Sequence, residues 1–257
     1  LLTSVLEPYF GKPFNDNQSK NGYYMETMSI WENEAANRKV KSIKVDKLSD
    51  RVKVTAQMIL PAGADYTLTY TVDGDGRLLV DADYVPANDT LPLMPKFGMR
   101  MQLPPEMTRI EYLGRGPWEN YPDRKRGYFV GRYAMPLNEY QHDYIYPQDN
   151  GNRCDINWLT LSPATSANPG VDNASLPVIR IEAQGTPLNI RAWDYDEEAL
   201  LKADHPHELE RGKFVNVNID HAIHGVGGAD TWGKPTLEPY TVHGNEPHHY
   251  TFTLTAE

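Results

Sequence analysis

Cysteine is almost absent from this sequence, as are other features that would point to a particular class of protein. Cys154 is the only cysteine among 257 residues, which excludes an internal disulfide framework. No run of about 18 apolar residues occurs, so no transmembrane helix is expected. Basic residues number 25 against 35 acidic residues, and the net charge of −10 argues against nucleic acid or an anionic membrane as a partner.

Recognisable catalytic motifs are also missing. The sequence has no glycine-rich phosphate loop, no G-x-S-x-G elbow and no nucleophilic cysteine. His221 and His224 are three positions apart, but no HExxH or comparable pattern accompanies them. Glycoside hydrolysis needs two carboxylates that face each other across one bond, and nothing nominates such a pair. We therefore predict no catalytic residue and no metal site in this chain.

An initiating methionine and a signal peptide are absent too, since the chain begins LLTSVLEPYF. We therefore expect a fragment of a longer multidomain protein, or a processed chain.

Alternation of apolar and polar residues dominates the chain and predicts β-strands. It is clearest in 52–60, where Val52, Val54 and Ala56 alternate with polar residues. We also predict strands over residues 66–72, 78–84, 97–103, 110–112, 155–161, 178–182, 188–192, 213–219 and 250–254. Strands that bury one face and expose the other pack as layers, so we predict an all-β fold: one large antiparallel β-sandwich domain over residues 1–257.

Helix is scarce. We predict one short helix from Asp194 to Ala203, with Asp194 as its cap and Glu197 as the capping-box partner. Residues 73–76, Asp-Gly-Asp-Gly, predict a hairpin turn. The segment 162–177 has three prolines and is predicted to be a surface loop, because strands of the same type continue beyond it.

The glycine-rich stretch 220–235, DHAIHGVGGADTWGKP, is the most unusual loop of the chain. Gly225, Gly227 and Gly228 let the backbone adopt positive φ angles and pass close to other groups. Trp232 follows them. Two interpretations are open: Trp232 covers the core, or its flat face binds a sugar.

Polar and aromatic residues are densest in a second loop, residues 114–126, and a similar loop spans residues 144–153. Such side chains can face a sugar, or they can satisfy buried backbone groups of an internally bonded corner. One hypothesis pairs Arg153 with Glu119 or Asp123. The candidate sugar-facing or structural residues are Glu119, Asn120, Asp123, Arg124, Arg153 and His224.

Three runs, LGRGPWENYPDRKRGYFVGRY, YPQDNGNRCDINWL and HGVGGADTWGKP, occur in this order along the chain. They resemble the C-terminal domain of large bacterial β-galactosidases of glycoside hydrolase family 2. PYFGKPFNDNQ resembles the start of that domain more loosely, because Lys12-Pro13 stands where the family has Arg-Ala-Pro. The resemblance covers essentially the whole chain.

This resemblance implies a β-supersandwich of the galactose-mutarotase-like type, the last of five domains of a retaining β-galactosidase. The substrate would be a β-galactoside such as lactose or a galacto-oligosaccharide. The catalytic glutamates and the Mg and Na ions of the active site would lie on an upstream TIM barrel of the same chain. This domain would then be non-catalytic and hold no cofactor. By motif position, Trp232 would stack on the sugar.

The resemblance also implies a parent protein that is often a homo-oligomer, and cytoplasmic and periplasmic locations both stay open. Two functions of other classes are kept as alternatives. An aldose 1-epimerase needs a histidine acid and a glutamate base at one anomeric centre, for which His142, His221, His224, Glu111 and Glu119 are available. A stand-alone carbohydrate-binding domain needs only stacking faces and hydrogen-bonding groups.

Overall fold

Two antiparallel sheets make up the protein, which confirms the predicted all-β sandwich. The computed structural model describes residues 2–19, 22, 24–164, 176–227 and 236–257. The strands are β1 (Glu7–Pro8), β2 (Lys39–Lys47), β3 (Arg51–Ile59), β4 (Asp65–Asp73), β5 (Leu78–Val85), β6 (Lys96–Leu103), β7 (Arg109–Gly116), β8 (Phe129–Pro136), β9 (Arg153–Ile156), β10 (Trp158–Ser162), β11 (Ile179–Gln184), β12 (Leu188–Trp193), β13 (Val215–Ile223) and β14 (His248–Ala256).

Helical segments are short. They are α1 (Asp16–Ser19), α2 (Ile30–Glu34), α3 (Leu137–Tyr140) and α4 (Glu197–Leu200), with a π-helical turn at Tyr24–Met28 and 3-10 turns at Pro122–Arg124, Pro206–Glu208 and Glu238–Tyr240. None of the helices in the described ranges has the length and apolar character needed to cross a membrane.

The larger sheet has the strand order β2-β3-β4-β5-β14-β11-β10-β7-β8, and the smaller sheet has the order β1-β6-β13-β12-β9. Apolar side chains from the facing surfaces form the main core. Phe97 on β6 lies near its centre, stacked on Phe10 with ring centroids 5.4 Å apart. The hydroxyl of Tyr250 on β14 donates to the carbonyl of Ile219 on β13 at 3.1 Å and so links the two sheets.

One predicted strand is in fact two. The alternation across residues 155–161 predicts a continuous strand, but β9 belongs to the smaller sheet and β10 to the larger. Asp155 has a φ of 57°, so the backbone turns there and the chain changes sheets. Alternation continues through such a corner, which explains why the sequence pattern did not reveal it.

The predicted helix over 194–203 is also wrong in its bounds. The α-helix is only Glu197–Leu200, and its cap is Asp196, whose carboxylate accepts a hydrogen bond from the Glu198 amide at 3.0 Å. Glu197 is no capping partner, because its side chain is buried against β12 and β13.

The outer face of the smaller sheet carries buried charges where alternation predicted exposed polar residues. Three cations and three carboxylates meet there, which we call the Arg191 network: Lys12, Lys96, Asp149, Arg191, Glu197 and Asp220. The Arg191 guanidinium lies 2.6 Å from Asp149 and 3.2 Å from Asp220. Lys12 contacts Asp149 at 3.1 Å, and Lys96 contacts Asp220 at 2.7 Å.

Burial and ion pairing oppose each other within this network. Burial alone would raise the pKa of Asp149, but Lys12 and Arg191 together hold that pKa below its usual value. Burial lowers the pKa of Lys96 to about 8 despite the neighbouring Asp220 carboxylate. Burial also raises the pKa of Glu197, although Arg191 and Lys96 oppose the increase. The network therefore depends on every member having its partner, since an unpaired buried charge is strongly destabilising.

Gly98 on β6 makes room for this network, which gives a first prediction. A Cβ atom at Gly98 would lie 2.0 Å from Asp220 Oδ1 and 2.8 Å from the Asp220 Cα. We expect Gly98→Ala to lower the free energy of opening of β6 and β13 by about 3 kcal/mol, because Asp220 must move away from its cations. Hydrogen exchange of the two strands measures this change.

Gly127→Ala is the matched control, because a Cβ atom at Gly127 has no neighbour within 4 Å. Equal exchange in the two variants would contradict the proposed packing of Gly98 against Asp220.

Candidate functional site: the base of the glycine-rich loop

Trp232 lies outside the described residues, but both flanks of its loop are described. We call residues 225–227 together with Thr236 the loop base. The Thr236 hydroxyl lies 2.7 Å from the carbonyl oxygen of Gly227 and 3.1 Å from that of Gly225. The Gly225 amide donates to the carbonyl of Tyr240 at 2.8 Å. The two described flanks of the stretch 228–235, Gly227 and Thr236, are therefore hydrogen-bonded to each other.

Asp123 holds the first flank of the loop from the opposite side. Its carboxylate accepts hydrogen bonds from the amides of Val226 at 3.2 Å and Gly227 at 2.6 Å. A Cβ atom at Gly225 would lie 2.7 Å from the Asp123 Cγ, and one at Gly227 would lie 2.9 Å from Asp123 Oδ2. The two glycines are thus required for the close approach of the carboxylate to the backbone.

The N-terminal segment supports the same backbone. The side-chain amide of Asn15 donates to the carbonyl of Val226 at 2.6 Å, and the side-chain amide of Gln18 donates to that of Gly225 at 3.1 Å. Asn15 also accepts from the Gln18 backbone amide at 3.0 Å, a turn typical of asparagine. Lys12 of the Arg191 network donates to the Gln18 side chain at 2.9 Å. The loop base is therefore linked through Gln18 to the Arg191 network on the outer face of the smaller sheet.

The 114–126 loop is an internally bonded corner. Asn120 is fully buried, with its side chain bonded to the carbonyl of Arg115 and to the amide of Cys154. Glu119 accepts hydrogen bonds from Arg124, from the Tyr144 hydroxyl and from the Gly151 amide. The role of these polar residues in this structure is to fix loops rather than to present free hydrogen-bonding groups.

Tyr121 and Arg124 connect this corner to the loop base. Tyr121 is buried against Ile223 and Val226, and the Arg124 guanidinium lies 5.1 Å from the Tyr121 ring centroid. Arg124 thus packs over the ring that supports the first flank of the loop.

The hypothesis that Arg153 pairs with Glu119 or Asp123 is wrong. The Arg153 side chain is buried, donates to the carbonyls of Pro117 at 2.9 Å and Gly151 at 3.0 Å, and lies 4.3 Å from the Tyr140 ring. Arg124 and the Gly151 amide already occupy Glu119. A guanidinium with five donors satisfies several loop carbonyls at once, which explains its position here.

His224 is buried directly under the loop base and does not face solvent. Its backbone amide donates to the carbonyl of Pro95 at 2.9 Å, and its Nε2 lies 3.2 Å from the Tyr24 hydroxyl. That hydroxyl accepts a hydrogen bond from the Thr236 amide at 3.1 Å. Burial lowers the pKa of His224 to about 3, so the imidazole is neutral near pH 7. His224 therefore has a supporting position and no access to a sugar.

A separate open depression of about 520 Å³ lies on the other side of the 114–126 loop. Trp118, Tyr128, His142 and Tyr144 line it, together with Glu119. This depression thus brings together one histidine and one glutamate from the epimerase candidates, His142 and Glu119. Glu119 already accepts three hydrogen bonds, one from an arginine, so it is a poor general base.

One group of possible metal ligands was missed by the sequence analysis. Asp81, Asp83 and His249 lie side by side on the outer face of the larger sheet, at partly or fully exposed positions. Period-two spacing places Asp81 and Asp83 on one face, but the pairing of β5 with β14 is needed to add His249. This group is not at the loop base.

The two amides held by Asp123 give a second prediction. Asp123→Asn replaces one acceptor oxygen by a donor that faces a backbone N–H, so we expect about tenfold faster hydrogen exchange at Val226 and Gly227. Asp75→Asn, in an exposed hairpin turn, is the control and leaves both amides protected. Unchanged exchange in Asp123→Asn would show that the carboxylate does not hold the loop.

The buried imidazole gives a third prediction, on acid stability. The folded-state pKa of His224 lies below the ordinary value of 6.5, so its contribution to stability is complete above pH 6.5 and is lost as the pH falls toward 3. Between those values we expect this residue to reduce the free energy of unfolding by up to about 1.4 kcal/mol per pH unit. Urea unfolding at pH 7 and pH 4.5 measures the loss, and His224→Gln reduces it.

His205→Gln is the control, because His205 is exposed. The same acid loss in His224→Gln as in the unsubstituted protein would exclude His224 as its source.

Comparison with known proteins agrees with the motifs. A family model described as the β-galactosidase small chain matches residues 1–254. The β-galactosidase of Lactobacillus delbrueckii subsp. bulgaricus is 33% identical over 91% of this chain and 22% of its own length. The β-galactosidase of Priestia megaterium is 28% identical over 99% of this chain and 23% of its own length. The chain thus spans less than a quarter of the length of these relatives.

Solved structures with a similar fold include a galactose 1-epimerase from Lactobacillus acidophilus, with a TM-score of 0.44 and 8% identity over 84% of this chain and 66% of that one. A galactose mutarotase-like protein from Lactobacillus casei has a TM-score of 0.40 and 14% identity over 84% of this chain and 73% of that one. The family model covers nearly every residue, and the chain therefore belongs to the β-galactosidase small chain family.

Proposed function

We propose that this chain is a non-catalytic domain of a longer β-galactosidase, which hydrolyses terminal β-D-galactosides such as lactose or galacto-oligosaccharides. The observation that carries the proposal is the family match over residues 1–254 combined with relatives of which the chain spans 22% and 23%. Most of the parent protein, and the room for a catalytic barrel of roughly 250 residues, then lies outside this chain.

The parent proposed here is a retaining glycosidase. A retaining glycosidase uses one carboxylic acid and one nucleophilic carboxylate on either side of the glycosidic bond. We assign these two groups, and the Mg and Na ions of the active site, to a TIM-barrel domain elsewhere in the same chain. Asp149 and Asp220 are not candidates for the catalytic pair, because both are buried and paired with Arg191. We further expect the parent to be a homo-oligomer.

The role proposed for this domain is to present Trp232 to the sugar at the aglycone side of the active site. The fixed loop base supports this role, because Asp123, Asn15, Gln18 and Thr236 all hold the backbone from which the 228–235 stretch leaves. A rigid base positions a stacking ring at a low entropic cost on binding. His224 and Tyr24 would support the ring indirectly, through the Thr236 amide.

Replacement of the tryptophan gives a fourth prediction. An aromatic stacking face contributes about 1 kcal/mol, so we expect Trp232→Ala in the full-length protein to weaken the affinity for lactose about fivefold. The acceleration of galactosyl transfer by added glucose is expected to fall as well. Steady-state kinetics with lactose and with a nitrophenyl galactoside plus glucose measure both effects.

Trp158→Ala is the matched control, because Trp158 lies on β10, where it packs against Arg180 and Arg132 and away from the loop base. Unchanged lactose affinity and glucose response in Trp232→Ala would contradict the stacking role. Hydrolysis of the nitrophenyl galactoside by the 257-residue chain alone would contradict the non-catalytic role.

A further inference from the structure

In the part of the chain that the structure describes, the two sheets of the sandwich differ in width, nine strands against five. Their facing strands can be followed in order. Phe97 on β6 packs on Tyr84 of β5, with ring centroids 5.8 Å apart. The carbonyl of Leu6, next to β1, accepts a hydrogen bond from the Tyr70 hydroxyl of β4 at 3.0 Å. β3 and β2 come next in the larger sheet, and within the described ranges no strand of the smaller sheet lies beyond β1 to cover them.

An apolar surface continues across these uncovered strands. Cross-strand partners share one face of a sheet, and Val80 pairs with Tyr70, Tyr70 with Val54, and Val54 with Val45. Val80 is fully buried in the main core, whereas Val45 is 53% exposed. We call this surface the overhang face; its apolar side chains are Val40, Ile43, Val45, Val52, Val54 and Val72, and Lys47, which pairs with Val52, lies at its margin.

The overhang face is too apolar for a surface in contact with water. Ile43 is 63% exposed and Val72 is 42% exposed, although both occupy the core-facing positions of their strands. The opposite face of the same strands carries Lys44, Thr55 and Thr69. The alternation is therefore that of a half-buried sheet, and contiguous exposed apolar surface of this kind marks a contact site.

The smaller sheet covers the larger sheet as far as β4, where the overhang face begins. The N-terminal segment runs beside β6, with the Thr3 amide donating to Gln102 at 2.9 Å and the Tyr9 amide donating to Gly98 at 3.0 Å. Leu2 and Leu6 pack against the main core. β1 is the edge of the smaller sheet, so a further strand beside it would lie over β3 and β2 at the usual sheet spacing of about 10 Å.

We propose that polypeptide upstream of Leu2 in the full-length protein adds at least one strand beside β1 and packs apolar side chains on the overhang face. This inference rests on the proposed function, in which the chain is the C-terminal domain of a longer protein. The long relatives support it, since the chain spans only 22% and 23% of two of them. Leu2 and Leu6 pack against the main core, and Leu6 lies beside β4, next to the overhang face. The segment just upstream of Leu2 is therefore the polypeptide closest in sequence to that face.

A second copy of the chain fits the overhang face less well. β2 carries four lysines at positions 39, 41, 44 and 47, and it is the outermost strand of the larger sheet. Lysines on an edge strand prevent edge-to-edge pairing of sheets. A symmetric contact along β2 would bring these charges together, whereas an upstream strand covers the apolar face without approaching the lysine-rich edge of another copy.

Cysteine labelling of the full-length protein tests the proposal. Val45→Cys is placed on the overhang face and Lys44→Cys on the opposite face of the same strand. The side chains at both positions are exposed in this chain, so without a cover the two cysteines react at similar rates. With the cover, we expect a maleimide to label Val45→Cys about 50-fold more slowly than Lys44→Cys. Val52→Cys is a second test position, used if Val45→Cys fails to fold.

The occupant is identified with a diazirine analogue of leucine at position 45, in a mixture of isotopically light and heavy protein. Cross-links within one chain to a segment upstream of residue 2 support the proposal. Similar labelling rates at positions 44 and 45, or cross-links between light and heavy chains, would overturn it. Hydrolysis of a nitrophenyl galactoside by the same variants keeps the two proposals separate, because an exposed overhang face in an active enzyme contradicts only this inference.

Discussion

The buried ion pairs of Arg191 are the interaction on which the rest of this domain depends. The Arg191 guanidinium is completely buried and lies between Asp149 and Asp220, with Glu197 at 3.6 Å. Together with Lys12 and Lys96, the network has three positive and three negative charges, so the buried group is balanced as a whole. Replacing any one of them leaves a buried charge without its partner. The network thereby fixes three separate parts of the chain against the smaller sheet: the N-terminal segment, residues 141–152 between α3 and β9, and α4.

The loop base takes its position from this network. Lys12 bonds Gln18, and Gln18 bonds the carbonyl of Gly225, so two hydrogen bonds connect the buried charges to the glycine-rich loop. A second route runs through residues 141–152, where Asp149 contacts Arg191 and the Gly151 amide contacts Glu119. It continues from Glu119 to Arg124, which packs over Tyr121, and Tyr121 packs against Val226 of the loop base. Of the candidate sugar ligands, Asp123 thus holds the backbone of the loop base, whereas Asn120 and Arg153 hold the neighbouring 114–126 and 144–153 loops.

The strands were predictable and the buried charges were not. Alternation located β3 to β6 well, because one face of each is apolar. It missed β2 and β8, which have no buried residue. Polar residues on β6, β12 and β13 were assigned to solvent, since alternation does not show that a distant segment covers them. Lys12 and Asp149 are 137 positions apart, and only the fold brings them together. Trp232 was identified by motif alone and stays a prediction.

The hydrogen-bonded contact between Thr236 and Gly227 has a consequence for how members of this family diversify. Because Gly227 and Thr236 are hydrogen-bonded to each other, the residues that flank the 228–235 stretch are held together independently of the sequence of that stretch. Its length and side chains can change without altering the register of any strand, since loop closure costs little as a loop grows. Evolution, or an engineer who grafts this insert between homologues, can therefore vary what the loop presents while the sandwich beneath it stays the same.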